Sequence, residues 1–249
     1  ILVAMYGILL CAVWLLPVEF TACTKNSWWC RISYWLTESG GKTGTVIVVL
    51  TAAGFYTLVG QTIREKLKIF LKSIFVIVIL LATIALFNEH VLKETMKIAR
   101  PSHKYIFSQS GMAAGLDSLY IRSDDARKEF IRNTINSHQE SFKAIDMRVL
   151  QHWSTESGYS FPSGHSCNAF LLAYILAYSM YRSGNNTVKR IFVLPLIWAV
   201  MVAVSRVAIG AHTALDVSAG AALGLVVASL FMYFDITKRW IIPVNKSEL

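Results

Sequence analysis

Residues 69–87, IFLKSIFVIVILLATIALF, are the stretch that decides the fold of this protein. Lysine, serine and threonine each interrupt it once, and every other position is apolar. A helix needs about 20 predominantly apolar residues to span the hydrocarbon core of a bilayer. The segment therefore predicts a transmembrane helix.

Five other stretches approach the same length and apolarity. They run from Ile1 to Pro17, Thr45 to Thr62, His165 to Tyr181, Ile191 to Ile209 and Ala214 to Phe234. Together with residues 69–87 they predict an all-α membrane protein with six transmembrane helices in one membrane-embedded domain, residues 1–249. Because the chain begins inside the first stretch and without Met, we expect that a short N-terminal portion either precedes Ile1 or was removed.

The composition agrees with a membrane protein, since 55% of the residues are hydrophobic and the mean hydropathy is +0.49. The formal charge is +9, but lysine and arginine fall between the apolar stretches and form no continuous basic stripe. This distribution argues against a nucleic-acid partner and is typical of cytoplasmic loops in a membrane protein.

Basic residues cluster after the second, fourth and sixth predicted spans. They are Arg64, Lys66 and Lys68, then Arg182, Lys189 and Arg190, then Lys238 and Arg239. The positive-inside rule predicts that these ends are cytoplasmic. The opposite side then carries residues 18–44, the long segment 88–164 between the third and fourth helices, and the turn at 209–213. Within the long segment, Asp124 to Phe142 shows a weakly amphipathic helical pattern, and the remainder is predicted to be irregular.

Three clusters of polar residues lie at the ends of spans, all on this non-cytoplasmic side. They are Lys93 with Arg100-Pro101, then Pro162-Ser163-Gly164-His165, then Ser205-Arg206 followed by His212 and Asp216. Their shared side predicts that the three clusters form one site.

His212 and Asp216 are four residues apart, so on one helix face the carboxylate can reach a ring nitrogen. An aspartate that accepts from Nδ1–H leaves the Nε2 lone pair free to attack phosphorus or to take a proton. Alone, the pair also fits a helix N-terminus whose polar groups are satisfied by the backbone.

The second cluster opens an apolar helix, with Ser163 as a candidate N-cap and Gly164 allowing close backbone approach. A helix N-terminus favours an anion such as phosphate. His165 would face that anion and act as a general acid, because its ordinary pKa lies near neutral pH. The same residues also fit a plain helix cap.

Arg206 lies near the end of an apolar span, where a guanidinium needs a partner such as a phosphate or a carboxylate. With Lys93 and Arg100 it makes three cations, which match the three equatorial oxygens of a phosphoryl group in transfer. Lys93 and Arg100 could instead anchor to lipid head groups.

The remaining histidines do not suggest a metal site. His90, His103, His138 and His152 are scattered through the long segment without the paired spacing of zinc ligands, and no carboxylate cluster suits magnesium. We therefore expect a metal-independent reaction without a cofactor, in which the cations neutralise charge.

The three clusters together read Lys93-x6-Arg100-Pro101, Pro162-Ser163-Gly164-His165 and Ser205-Arg206-x5-His212-x3-Asp216, and this pattern resembles the type 2 phosphatidic acid phosphatase superfamily. The resemblance implies that His212 is the nucleophile and forms a phosphohistidine, that Asp216 orients it, and that His165 protonates the leaving group. It also implies that Lys93, Arg100, Ser163, Gly164 and Arg206 hold the phosphate.

The function expected from this resemblance is hydrolysis of the terminal phosphate of phosphatidylglycerophosphate and related lipids, including phosphatidate and undecaprenyl diphosphate. The expected location is the bacterial inner membrane, with the site on the periplasmic side. A lipid A phosphatase of the same superfamily and a non-enzymatic lipid-binding membrane protein are the alternatives. Six spans disfavour a vanadium haloperoxidase, which shares the site. The sequence leaves the oligomeric state open.

The cysteine pair and a glycine pattern each have two interpretations. Cys23 and Cys30 share a short polar segment and are either a disulfide, if the segment faces an oxidising compartment, or two free thiols. Gly220 and Gly224 form a GxxxG pattern in the sixth span, which packs helices either within the chain or across a dimer.

Overall fold

The computed structural model describes residues 1–15, 23–25, 27–112, 115–182 and 185–241. Its α-helices are α1 (Leu2–Trp14), α2 (Trp28–Ser39), α3 (Lys42–Tyr56), α4 (Ile63–Phe87), α5 (Lys93–Met96), α6 (Pro101–Gln109), α7 (Gly115–Tyr120), α8 (Asp124–Ser137), α9 (Gln139–Phe142), α10 (Met147–Thr155), α11 (Gly164–Arg182), α12 (Asn186–Arg190), α13 (Leu194–Ala208) and α14 (Ala214–Tyr233). These residues include no strand, only an isolated bridge between Thr24 and Ile145. The predicted all-α class is confirmed.

Each predicted span contains a helix, although not every helix is long and apolar enough to cross a membrane by itself. Four segments meet that condition among the described residues: Lys42–Val59, Ile63–Met96, Asn186–Ala208 and Ala214–Tyr233. The apolar helix α1 is shorter, and Pro17, where its predicted span ends, lies outside the described residues. The chain is thus a multi-pass membrane protein, and the count of six spans remains a prediction.

Helix α11 lies at the centre of the bundle, against α3, α13 and α14. Most of its side chains are buried by these neighbours, among them Phe170, Leu171 and Leu172. Because protein surrounds it on several sides, α11 tolerates tyrosine, serine and asparagine that a lipid-facing helix would not. This position explains why α11 is less apolar than the other long helices.

The GxxxG pattern of α14 packs against α11 of the same chain. A Cβ added to Gly220 would lie 2.3 Å from the carbonyl oxygen of Ser163, and one added to Gly224 would lie 2.2 Å from that of Cys167. Real Cβ atoms do not approach so closely, so both positions require glycine. The two glycines therefore serve packing within the chain.

The long segment 88–164 is more regular than predicted. Helix α8 and the short α9 cover the predicted amphipathic stretch, but α6, α7 and α10 occupy parts that were expected to be irregular, and that expectation was wrong. Long-range packing explains the difference: isolated short helices are marginal, yet their apolar sides share one buried cluster that includes Phe107, Ile131 and Trp153.

Cys23 and Cys30 form a disulfide, and both are buried in this cluster. Residues 18–44 contain helix α2 in addition to this loop, and α2 packs on α13. Of the cytoplasmic charges predicted from the sequence, the side chains of Lys238 and Arg239 lie outside the described part of the chain.

Candidate active site

Several helix ends meet at one end of the bundle. Helices α3, α11 and α14 begin there, while α13 and the continuous segment of α4 to α5 end there. A cavity of about 680 Å³ opens between them, and its lining includes Lys93, Arg100, Gly164, His165 and His212. The fold therefore brings together members of all three sequence clusters.

His212 sits in the turn between α13 and α14. Gly210 has a φ of 72°, a backbone conformation that favours glycine, and its carbonyl accepts from the N–H of Ser102. The N–H groups of Ala211 and His212 both donate to the carbonyl of Arg206. This turn leaves His212 only 2% exposed, with its ring at the cavity wall.

The two ring nitrogens of His212 have different partners. Nη1 of Arg100 lies 3.2 Å from Nε2. Nδ1 lies 3.2 Å from Oγ of Ser160 and 3.6 Å from Oδ2 of Asp216. The Ser160 hydroxyl in turn donates to Oδ2 of Asp216 over 2.5 Å. The carboxylate is thus on the predicted side of the ring, but a serine lies between them.

Burial and charge keep His212 neutral. Removal from water is the main cause that lowers the pKa of His212, and the nearby guanidinium of Arg100 lowers the pKa further. A guanidinium has no acceptor, so its contact with Nε2 also requires that this nitrogen carry a lone pair. Nε2 is therefore the basic atom and Nδ1 carries the hydrogen.

A carboxylate that sequence reasoning missed, Glu156, holds two of the predicted phosphate-binding cations. It accepts from Nη1 of Arg100 over 2.6 Å and from Nη2 of Arg206 over 2.5 Å. Burial by itself would raise the pKa of Glu156, but Arg206 and Arg100 outweigh it and hold that pKa well below its usual range. His152 completes the group, with Nε2 2.8 Å from Nη1 of Arg206.

Lys93 approaches the cavity from a π-helical turn, Asn88–Leu92, that interrupts the helix after α4. Single π-turns of this kind are frequent at functional sites. Lys93 is 5% exposed, and its Nζ donates to Oε1 of Glu89 over 2.5 Å. In this structure each of the three predicted cations therefore has a carboxylate partner.

The start of α11 forms the opposite wall. Gly164 and His165 line the cavity, and Nδ1 of His165 lies 3.9 Å from Oε1 of Glu156. Ser163 is fully buried; its N–H donates to the carbonyl of Asp216, and its hydroxyl accepts from the N–H of Ser166. Ser163 therefore caps α11 as predicted, but its own N–H is already occupied by the start of α14.

A second layer of hydrogen bonds supports Arg100 and Glu156 from behind. The N–H of Arg100 donates to the hydroxyl of Tyr120, which lies 2.8 Å from Nδ1 of His103. Nε2 of His103 lies 3.0 Å from the carbonyl of Glu156. Burial, and then the charge of Arg100, lower the pKa of His103 to about 3, so this histidine is neutral and donates through Nε2.

The structure thus brings residues of the three predicted clusters together, and their roles remain a prediction. Four residues that contact them were missed by sequence reasoning: His103, His152, Glu156 and Ser160. One signal was available, since His152 and Glu156 are four residues apart, the spacing that singled out His212 and Asp216. Among the described residues, no group of three or more His, Cys, Asp or Glu is placed to hold a metal ion.

The fold and site define a multi-pass helical membrane protein whose cavity is lined by histidine, lysine and arginine side chains. A comparison with protein families identifies the same class. The family model of the PAP2 superfamily matches residues 71–240, more than half of the chain. The chain therefore belongs to the PAP2 superfamily, and the resemblance predicted from the three motifs is confirmed.

Within this superfamily the chain is similar to proteins named phosphatidylglycerophosphatase B. It is 26% identical to the Haemophilus influenzae protein over 242 residues, covering 93% of this chain and 94% of the relative. Identity to the Escherichia coli K12 protein is also 26%, over 84% of this chain and 74% of the relative. With the Bacillus subtilis protein it is 37% over 93 residues, 36% of this chain and 44% of the relative.

A solved structure has the same fold. The crystal structure of a transmembrane PAP2-type phosphatidylglycerolphosphate phosphatase from Bacillus subtilis aligns with a TM-score of 0.55 and 22% identity, over 96% of each chain. The similarity extends over nearly the whole length of both proteins.

Proposed function

We propose that this protein is a membrane lipid phosphatase that removes the terminal phosphate of phosphatidylglycerophosphate and related lipid phosphates. One observation carries the proposal: His212, a neutral histidine whose basic Nε2 contacts Arg100, shares a cavity with His165, Lys93 and Arg100 at the end of the helical bundle. Membership of the PAP2 superfamily and the likeness to phosphatidylglycerophosphatase B support it.

The first half-reaction makes a phosphohistidine. The lipid phosphate displaces Nη1 of Arg100 from Nε2 of His212, so the guanidinium now binds a phosphoryl oxygen and the lone pair faces phosphorus. A P–N bond forms as the ester P–O bond breaks, and the leaving alkoxide takes a proton from His165. Arg100, Lys93 and Arg206 balance the charge on the equatorial oxygens.

The second half-reaction returns the enzyme to its starting state. His165 removes a proton from a water, the water oxygen attacks phosphorus, and the P–N bond breaks to release inorganic phosphate. The backbone of Gly164 lies at the start of α11, where the helix dipole favours an anion such as phosphate. Ser163 supports the phosphate site indirectly, because its N–H donates to the carbonyl of Asp216 and so holds the start of α11 against the start of α14.

The cavity lining also includes apolar residues. Ile84 and Ala85 of α4 continue its wall from the polar end toward the membrane-spanning part of the bundle, so a phosphate at His212 has an apolar surface beside it for an acyl chain. We also propose that the protein lies in the bacterial inner membrane. The cavity end of the bundle then faces the periplasm, because the short basic connections lie at the other end and the positive-inside rule makes that end cytoplasmic.

Substitution of the nucleophile tests the enzyme class. We expect His212→Ala to abolish hydrolysis of phosphatidylglycerophosphate in detergent while the protein elutes as a folded species. Wild-type protein treated with substrate and quenched in base should carry an acid-labile phosphate that this variant lacks. Full turnover by His212→Ala would refute the proposal. A folded wild-type protein that hydrolyses no lipid phosphate would favour the lipid-binding alternative.

Two inhibitors test the mechanism. Turnover should persist in excess chelator, because Lys93, Arg100 and Arg206 supply the positive charge that a metal supplies elsewhere. Vanadate should inhibit competitively, since its five-coordinate form resembles the transition state. Parallel rates on phosphatidylglycerophosphate, phosphatidate, undecaprenyl diphosphate and lipid A separate the substrate alternatives.

A further inference from the structure

Ser160 occupies a position that none of the three sequence clusters includes. It is fully buried, lies two residues before Pro162, and its N–H donates to the carbonyl of Ile98 over 2.8 Å. This bond ties the loop that leads into α11 to the chain just before Arg100. The backbone thus fixes the Ser160 hydroxyl between two other buried groups, His212 and Asp216.

The direction of every hydrogen bond in this group follows from donor chemistry. Arg100 can only donate, so Nε2 of His212 accepts and the ring hydrogen is on Nδ1. Nδ1–H then donates to Oγ of Ser160, and the single hydroxyl hydrogen of Ser160 donates to Oδ2 of Asp216. No other arrangement satisfies the three contacts with a carboxylate at the end.

A direct bond between the histidine and the aspartate would be weaker here. Nδ1 and Oδ2 are 3.6 Å apart, beyond the ordinary hydrogen-bond range, and Oδ2 already accepts from the N–H of Thr213 over 2.7 Å. The path through Ser160 has separations of 3.2 and 2.5 Å instead. The carboxylate is therefore coupled to the ring mainly through the hydroxyl.

We propose that Ser160 is a positioning residue that relays the charge of Asp216 to His212. When Nε2 attacks phosphorus, positive charge develops on the ring and Nδ1–H becomes a stronger donor. Ser160 accepts that hydrogen bond and donates more strongly to Asp216, so the relay stabilises the transition state more than the resting state. The hydrogen atoms stay on Nδ1 and Oγ, and no proton transfer is required.

The proposal rests on His212 being the nucleophile, and kinetics on dioctanoyl phosphatidate test both. We expect Ser160→Ala to lower kcat by about tenfold to a hundredfold, the range for a hydrogen bond to a developing charge. KM should stay within about threefold of wild type, whereas the inhibition constant of vanadate should rise in step with the loss of kcat, because vanadate resembles the transition state. Ser73→Ala is the matched control, because Ser73 is also fully buried but bonds only the carbonyl of Ile69 in its own helix.

A double-mutant cycle distinguishes a relay from a general loss of packing. If Ser160 acts through Asp216, then Ser160→Ala combined with Asp216→Asn should be no more than about threefold slower than Asp216→Asn alone. Losses that multiply, or Ser160→Ala activity within twofold of wild type, would overturn the relay. If Ser160→Ala does not fold, Ser160→Cys is measured instead. Because a thiol is a weak hydrogen-bond donor, the rate of Ser160→Cys should be clearly below that of wild type. Turnover by His212→Ala would instead refute the proposed function, and not only the role of Ser160.

Discussion

Replacing Glu156 with Gln tests the electrostatic design of the resting site. Glu156 holds both Arg100 and Arg206 through bonds of 2.6 and 2.5 Å, and Arg206 has no exposed surface. The substitution keeps the shape and one acceptor oxygen but removes the negative charge. Two buried guanidinium groups then face each other without a counter-charge.

The magnitude follows from known costs of breaking buried ion pairs. Removing one partner of such a pair costs about 3 to 5 kcal/mol, and the retained acceptor places Glu156→Gln near the lower end, about 3 kcal/mol. For a chain of this size each kcal/mol moves the midpoint of thermal unfolding by about 2 to 4 °C. The midpoint should therefore fall by about 6 to 12 °C.

The assay is thermal unfolding in detergent at one scan rate, with and without inorganic phosphate. Phosphate no longer competes with a carboxylate in the variant, so we expect it to bind at least about tenfold more tightly, a gain of about 1.4 kcal/mol. Phosphate should consequently raise the midpoint of Glu156→Gln more than that of wild type. Glu140→Gln is the matched control, since Glu140 forms only an exposed pair with Lys143. An unchanged midpoint, or equal stabilisation by phosphate in both proteins, would refute this reasoning.

Three further perturbations probe parts of the fold that support the site. His103 stays neutral when folded, with a pKa of about 3, so protonation of the unfolded chain should cost the wild type about 1.4 kcal/mol of stability per pH unit below about pH 6.5; His103→Gln should remove this share of the slope between pH 6 and 4.5. Gly224→Ala places a methyl 2.2 Å from the carbonyl of Cys167, so it should lower the unfolding midpoint by at least about 5 °C. Breaking the disulfide with Cys23→Ser opens a short loop to Cys30 and should cost about 2.5 kcal/mol by loop entropy.

Each of these has a contradicting result, and the last two have a matched control. Equal slopes in wild type and His103→Gln would contradict the low pKa of His103. Gly54→Ala meets no atom within 4 Å and should be tolerated, and equal midpoints for the two glycine variants would argue against close packing. Cys11 is a free thiol, so Cys11→Ser should be neutral; a neutral Cys23→Ser would mean that the disulfide adds no stability.

Several conclusions depended on the sequence alone. Apolar runs such as residues 69–87 are enough to predict membrane helices, because the bilayer requires each run to satisfy its backbone internally whatever its neighbours are. The three motif clusters likewise predicted the family, since their spacing is local to helix ends. Both depend on short-range patterns, which are written directly in the chain.

Other conclusions came only from the tertiary structure. The segment 88–164 has helices that the sequence did not predict, because their stability comes from one shared buried cluster. Gly224 could have served a dimer, and only the position of α11 shows that it packs within the chain. Glu156 and Ser160 belong to no motif, and they reach Arg206 and Asp216 across about 50 residues of chain. Such contacts depend on how distant helix ends meet, and no local pattern in the sequence specifies that meeting.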